Sequence, residues 1–136
     1  MRSIAVIDDE QSICDVLSEA LTDTDAEVQC AHDGTEGKRL LESRRFDLAL
    51  IDLLMPGVSG LELADVATAL GTPSIMMSGH LDAAEQCEQR GLPCLLKPFG
   101  LDALTQKAEE VMTDREEMLR RARQAMARMQ VATKWA

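Results

Sequence analysis

The chain has 136 residues, 46% hydrophobic, 28% charged and 2% aromatic, and its 14 basic and 24 acidic side chains leave a net charge of −10 at pH 7. That length supports one aliphatic core and not two. No apolar run approaches the roughly 18 residues of a membrane span and the start does not read as a signal peptide, so a single cytoplasmic domain is expected.

The charge is unevenly placed. Residues 1–114 carry 8 basic and 22 acidic side chains, a net of −14, whereas residues 115–136 carry 6 and 2, a net of +4. An acidic body is unsuited to direct nucleic-acid binding, and Phe46, Phe99 and Trp135 are too few to stack single-stranded bases. The division also suggests a body over 1–114 followed by a basic helical extension over 115–136.

In chain order, short aliphatic runs alternate with segments of helical spacing. Ser3 to Ile7, Glu27 to Ala31, Asp47 to Asp52, Pro73 to Met77 and Pro93 to Leu96 are predicted strands. After the first strand, Ile13, Val16, Leu17, Ala20 and Leu21 form one apolar helical stripe; after the third, Leu61, Leu63, Ala64, Val66, Ala67 and Leu70 form a broader one. Asp33-Gly34, Pro56-Gly57, Gly60 and Gly71 read as turn residues. Strands that alternate with helices require crossovers, hence a doubly wound α/β fold with helices on both faces of a parallel sheet.

A last helix is predicted from Leu101 to Gln130, with Asp102 in its first turn and its first half packed on the sheet. Leu104, Ala108, Val111, Met118, Ala122, Ala125 and Met129 keep the alternating spacing of a heptad seam, interrupted at Arg115. The seam is rich in alanine, so it supports a weak homodimer or a solvated helix end that frays near Thr133. Cys14, Cys30, Cys87 and Cys94 show no CxxC spacing and read as small buried hydrophobes in a reducing compartment.

Chemistry collects at the strand tips. The run IAVIDDE ends a buried strand in Asp8, Asp9 and Glu10, and DLALIDLLMPG repeats the device at Asp52. Ligands of open α/β sheets bind at the carboxyl ends of the strands, where the winding reverses. If the first and third strands are neighbours, as order 2-1-3-4-5 requires, the three aspartates converge, and a hard divalent cation such as Mg²⁺ relieves their repulsion. Ser78-Gly79 and Lys97-Pro98 reach the same edge after the fourth and fifth strands. A carboxylate nucleophile, a hydroxyl, an ammonium and a metal site suit phosphoryl transfer.

These pieces resemble the receiver domain of two-component response regulators: Asp8-Asp9, Asp52 in LIDLLMPG, Ser78-Gly79 in MMSGH, and Lys97-Pro98-Phe99 in LLKPF, from about Arg2 to about Thr113. The resemblance implies the five-stranded, flavodoxin-like sheet of order 2-1-3-4-5, and a regulatory phosphoacceptor, not an enzyme. It implies that Asp52 takes a phosphoryl group from a histidine kinase or phosphotransfer protein. Asp8, Asp9, Asp52 and the Leu54 backbone carbonyl would hold Mg²⁺, Ser78 would bond the phosphoryl oxygens, and Lys97 would pair with them. It further implies a cis Lys97–Pro98 bond, and a downstream protein partner met by the fourth helix, fifth strand and last helix. One departure is Cys94, which stands where such domains usually carry Tyr or Phe three residues before the lysine. His80 reads as an exposed loop histidine rather than a proton donor.

Two other functions compete. The chain could be the receiver part of a longer regulator with a DNA-binding or enzymatic output, or an aspartate-nucleophile phosphatase. The phosphatase needs a DxD arrangement after the first strand, which Asp8-Asp9-Glu10 does not supply.

Overall fold

The computed structural model describes residues 1–22 and 25–135, with side chains as far as Gln130. Five strands, β1 (Arg2–Ile7), β2 (Ala26–Ala31), β3 (Leu48–Asp52), β4 (Ser74–Ser78) and β5 (Cys94–Leu96), alternate with α1 (Gln11–Thr22), α2 (Gly34–Ser43), α3 (Gly60–Ala69), α4 (Leu81–Gln89) and α5 (Leu101–Trp135). The sheet is parallel in the order β2-β1-β3-β4-β5. Ile7 of β1 stands beside Ile51 of β3, so the residues that follow each are brought together.

Strand alternation divides the core in two. Ile4, Val6, Leu48, Leu50, Ile75 and Met77 face α1 and α5, while Ala5, Ile7, Ala49, Ile51 and Met76 face α2, α3 and α4. Both faces are covered, so the runs Ile4 to Ile7, Leu48 to Ile51 and Ile75 to Met77 are apolar at successive positions instead of at every second one. Pro73 and Pro93 fall just outside β4 and β5. Lacking an N–H, each still contributes its carbonyl, which accepts from Ala49 and Met76 respectively.

The α1 stripe is rotated from its predicted position. Cys14, Leu17 and Leu21 are its buried residues, and Val16 is 46% exposed. On α3, Leu63, Ala64 and Ala67 are buried and Leu70 is exposed. Cys14 and Cys87 are buried, as small hydrophobes should be, but Cys30 and Cys94 are only half-buried; all four are thiols. Asp33, read as a plain turn residue, caps α2 by accepting from the Glu36 N–H at 2.7 Å.

Helix α5 continues to Trp135, past the predicted end at Gln130, and its 35 residues span about 50 Å at 1.5 Å each. The helix is continuous through Thr133, where the sequence predicts a fraying end. Leu104, Ala108 and Met112 are buried on the sheet, so the first part of the heptad seam is consumed within the monomer. Arg2, at the start of β1, binds Glu109 and Glu116, and Arg115 reaches Asp47 at 3.4 Å. Beyond these contacts Met118, Leu119 and Met126 are exposed.

Gly60 opens α3 directly under the β3–α3 loop, and its N–H donates to the Leu53 carbonyl at 3.3 Å. A methyl group there would meet the Asp52 carbonyl oxygen at 2.5 Å and Leu53 Cα at 2.7 Å. Those neighbours are backbone and cannot rotate aside. Gly60→Ala is therefore expected to destabilise the fold by about 1–3 kcal/mol, the usual range for overpacking. Urea unfolding checks this, and an unchanged midpoint would contradict the close approach.

Candidate functional site

At the carboxyl end of the sheet, Asp8 follows β1, Asp52 closes β3 and Lys97 follows β5. Asp8, Asp9 and Asp52 each present a carboxylate oxygen, and these oxygens lie within 4.8 Å of one another. Asp8 is fully buried and Asp52 is 7% exposed, whereas Asp9 faces solvent. Lys97 Nζ donates to Asp8 Oδ2 at 2.8 Å and to Asp52 Oδ2 at 3.5 Å. One ammonium thus answers three carboxylates, leaving a net negative pocket that an added cation would balance.

The backbone fixes the carboxylates further. The Glu10 N–H donates to Asp8 Oδ1 at 2.9 Å and the Leu54 N–H to Asp52 Oδ1 at 3.4 Å. In both cases the residue two positions on turns its amide back to the aspartate, a local Asx-type bond that settles the carboxylate's orientation. The predicted cis bond is present at Lys97–Pro98. The Lys97 N–H donates to the Ser78 carbonyl at 2.7 Å, which joins the ends of β4 and β5.

Ser78 is buried at the tip of β4, but its hydroxyl is engaged with its own loop. It donates to the His80 carbonyl at 3.2 Å and accepts from the His80 N–H at 3.0 Å. His80 is exposed and stands at the N-cap of α4, with no side-chain cap bond. Cys94 is half-buried on β5 beside Cys87 of α4, and burial followed by that neighbour pushes its thiol up to about 11. Sequence reasoning did not single out His32, which follows β2 and places Nδ1 3.4 Å from the Asp8 carbonyl and 3.9 Å from Cys14 Sγ. Its position after a strand was the available signal; nothing in its neighbours along the chain marked it.

Burial, followed by the charge of Asp8, pushes the Asp52 carboxyl up to about 6, against the opposing pull of Lys97 and the Leu54 N–H. Burial also acts to lower the Lys97 ammonium, but its hydrogen bond to Asp8 and the charges of Asp52 and Asp8 outweigh this and leave it raised.

Comparison with known proteins identifies the family. The profile of the response regulator receiver domain matches residues 4–109. The chain belongs to the response regulator receiver family. The virulence sensor protein BvgS of Bordetella pertussis is 31% identical over 121 residues, covering 80% of this chain and 10% of the relative. Its counterpart in Bordetella bronchiseptica is 30% identical over 119 residues, covering 79% and 10%. The chain therefore spans about a tenth of the length of these curated relatives.

Among solved structures, a CheY-like receiver domain protein from Methanospirillum hungatei superposes with a TM-score of 0.79 at 27% identity, covering 87% of this chain and 98% of that one. The response regulator TrrA from Thermotoga maritima, in complex with Mg²⁺-BeF, gives 0.74 at 28% identity, with 82% and 99% covered. Receiver domains are regulatory phosphoacceptors of two-component systems, and among the described residues no helix is long and apolar enough to cross a membrane.

The upward position of Asp52 has a signed consequence. The folded chain holds this proton more tightly than an unfolded chain, whose aspartates titrate near 4, so the stability tied to it is complete below about pH 4 and lost as pH rises through about 6. In chelator, Asp52→Asn is expected to melt above wild type at pH 7.5, with an advantage that shrinks through pH 6 and vanishes near pH 4. Thermal melts across that range decide it. An advantage independent of pH would show that Asp52 is not under this repulsion.

Proposed function

We propose that this chain is a phosphoacceptor switch in which Asp52 receives a phosphoryl group from a histidine kinase or phosphotransfer protein. The observation that carries the reading is the convergence of Asp52 with Asp8, Asp9 and Lys97 in a chain of the receiver family. In the transfer, an Asp52 carboxylate oxygen forms the new O–P bond as the donor's N–P bond breaks, and the electron pair leaves with the imidazole nitrogen, which takes up a proton. With its carboxyl near 6, Asp52 is mostly ionised at neutral pH and fit to attack.

The three converging carboxylates are hard oxygen donors of the kind that suits Mg²⁺. Asp8, Asp9 and Asp52, with the Leu54 backbone carbonyl, would hold the ion, which when bound neutralises charge on the transferring group. Lys97 would move its charge from Asp52 toward the phosphoryl oxygens, and Ser78 would exchange its bond with His80 for one to those oxygens. The body over 1–114 would carry this chemistry in the cytoplasm. A downstream protein partner would meet α4, β5 and α5, where Cys94 replaces the usual aromatic, and the extension over 115–136 would promote weak self-association.

The receiver could also be one part of a longer regulator, a reading favoured by the small share of the BvgS relatives that the chain covers.

Incubation with acetyl phosphate and Mg²⁺ should add one phosphoryl group by intact mass spectrometry, and Asp52→Asn should remove that gain. An undiminished gain in Asp52→Asn would sink the assignment. Asp9→Ala should weaken Mg²⁺ binding in calorimetry by at least the roughly 10-fold that loss of supporting groups produces; equal affinity would remove Asp9 from the site.

A further inference from the structure

Two further surfaces, one adjoining the acid pocket through Lys97 and one remote from it, complement each other. The first is a groove of about 460 Å³ between α1 and the turn into α5. Ile13, Val16 and Leu17 form one wall, Pro98, Phe99 and Leu101 the other, and Glu10 and Lys97 stand in its lining. The segments that flank it are acidic. Helix α1 contains no Lys or Arg, Glu19 lies three residues on from Val16, Asp102 follows Leu101, and Lys97 is already paired with Asp8 and Asp52.

The second surface is the distal part of α5. Leu119, Ala122 and Met126 continue, at helical spacing, the face on which Leu104, Ala108 and Met112 pack against the sheet, but here that face is exposed. From Met118 onward the chain contains Arg120, Arg121, Arg123, Arg128 and Lys134 and no acid. Arg120 and Arg121 pair with Glu117, and no ion pair joins Arg123 or Arg128 to an acid among the described residues.

We infer that the distal α5 of one copy docks in the α1–α5 groove of a second copy. A basic helix with an apolar ridge meets an apolar channel with an acidic rim, the helix-in-groove mode of recognition. The tail cannot serve its own groove. Leu101 lines the groove, and Met118 lies 17 residues farther along one uninterrupted helix, about 26 Å away. Pairing two tails side by side would instead set two all-basic segments against each other, which costs energy.

This gives the self-association proposed above a definite contact. Glu10 and Lys97 belong to both the groove and the rim of the acid pocket, so a docked tail lies across the approach to Asp52. That last consequence rests on the phosphoacceptor reading; the contact itself does not.

Sedimentation of the full chain tests the contact without any phosphoryl donor. Wild type should self-associate, more weakly as salt is raised from about 0.05 to 1 M, because opposite charges are being screened. Paired basic tails would show the reverse. Val16→Lys disables the groove at an exposed position, and Leu119→Glu with Arg123→Glu and Arg128→Glu disables the tail. Each variant alone should associate at least about tenfold more weakly.

An equimolar mixture of the two should recover a heterodimer, because one supplies an intact tail and the other an intact groove. That recovery also shows both variants to be folded. Self-association by Val16→Lys at wild-type strength, or failure of the mixture to recover, would overturn the groove while leaving self-association standing. A wild type that stays monomeric throughout would overturn both, and its co-sedimentation with phosphatidylserine vesicles would then assign the tail to an anionic membrane surface.

Discussion

The adjacency of β1 and β3 is the constraint on which the rest of this structure depends. Parallel pairing in register brings Ile7 and Ile51 side by side, and each strand then ends in an acid. Three like charges within a few ångströms at a buried strand edge would oppose folding if nothing else were present. The chain answers with Lys97 from the far side of β4, with two backbone amides, and with the exposed position of Asp9. The compensation is incomplete, so the pocket keeps a net negative charge.

Reaching that arrangement sets demands on the surrounding fold. Lys97 arrives only because the Ser78 carbonyl ties the end of β5 to the end of β4. The β3–α3 loop can lie close above the helix because Gly60 has no side chain to hold it off. The α1 and α5 helices cover one face of the central strands and α2, α3 and α4 the other, so the strand tips are the open edge where polar groups can collect.

Much of this was legible along the chain because the signals were strong and local. Uniformly apolar runs ending in acids mark strands buried on both faces, and the helical segments between them force a parallel sheet. Reading β1 beside β3 was enough to bring Asp8, Asp9 and Asp52 together. The rest depends on choices that periodicity does not encode. Cys14 rather than Val16 faces the core, a rotation of α1 settled by the helix's fit on Ile4 and Val6. The Ser78 hydroxyl turns to its own loop, because two backbone groups of His80 stand nearer than any carboxylate partner. The first half of α5 packs on the sheet as expected, burying Leu104 and Ala108, although the heptad pattern also ran through both. A spacing rule cannot tell which of two apolar surfaces takes a stripe.

The length of α5 matters mechanically as well as chemically. Its inner turns are seated on the core and braced by Arg2 and Arg115, while its outer turns extend past the sheet as one continuous rod. Such a rod is a lever with its fulcrum at the edge of the domain. A rotation of about 5° at the seated end, too small to disturb packing, sweeps an arm of roughly 26 Å through about 2 Å at its far end. A change at the strand tips need not travel through the core as a chain of rearranged side chains to be felt outside it; a slight reseating of the first turns of α5 is enough to re-aim the tip.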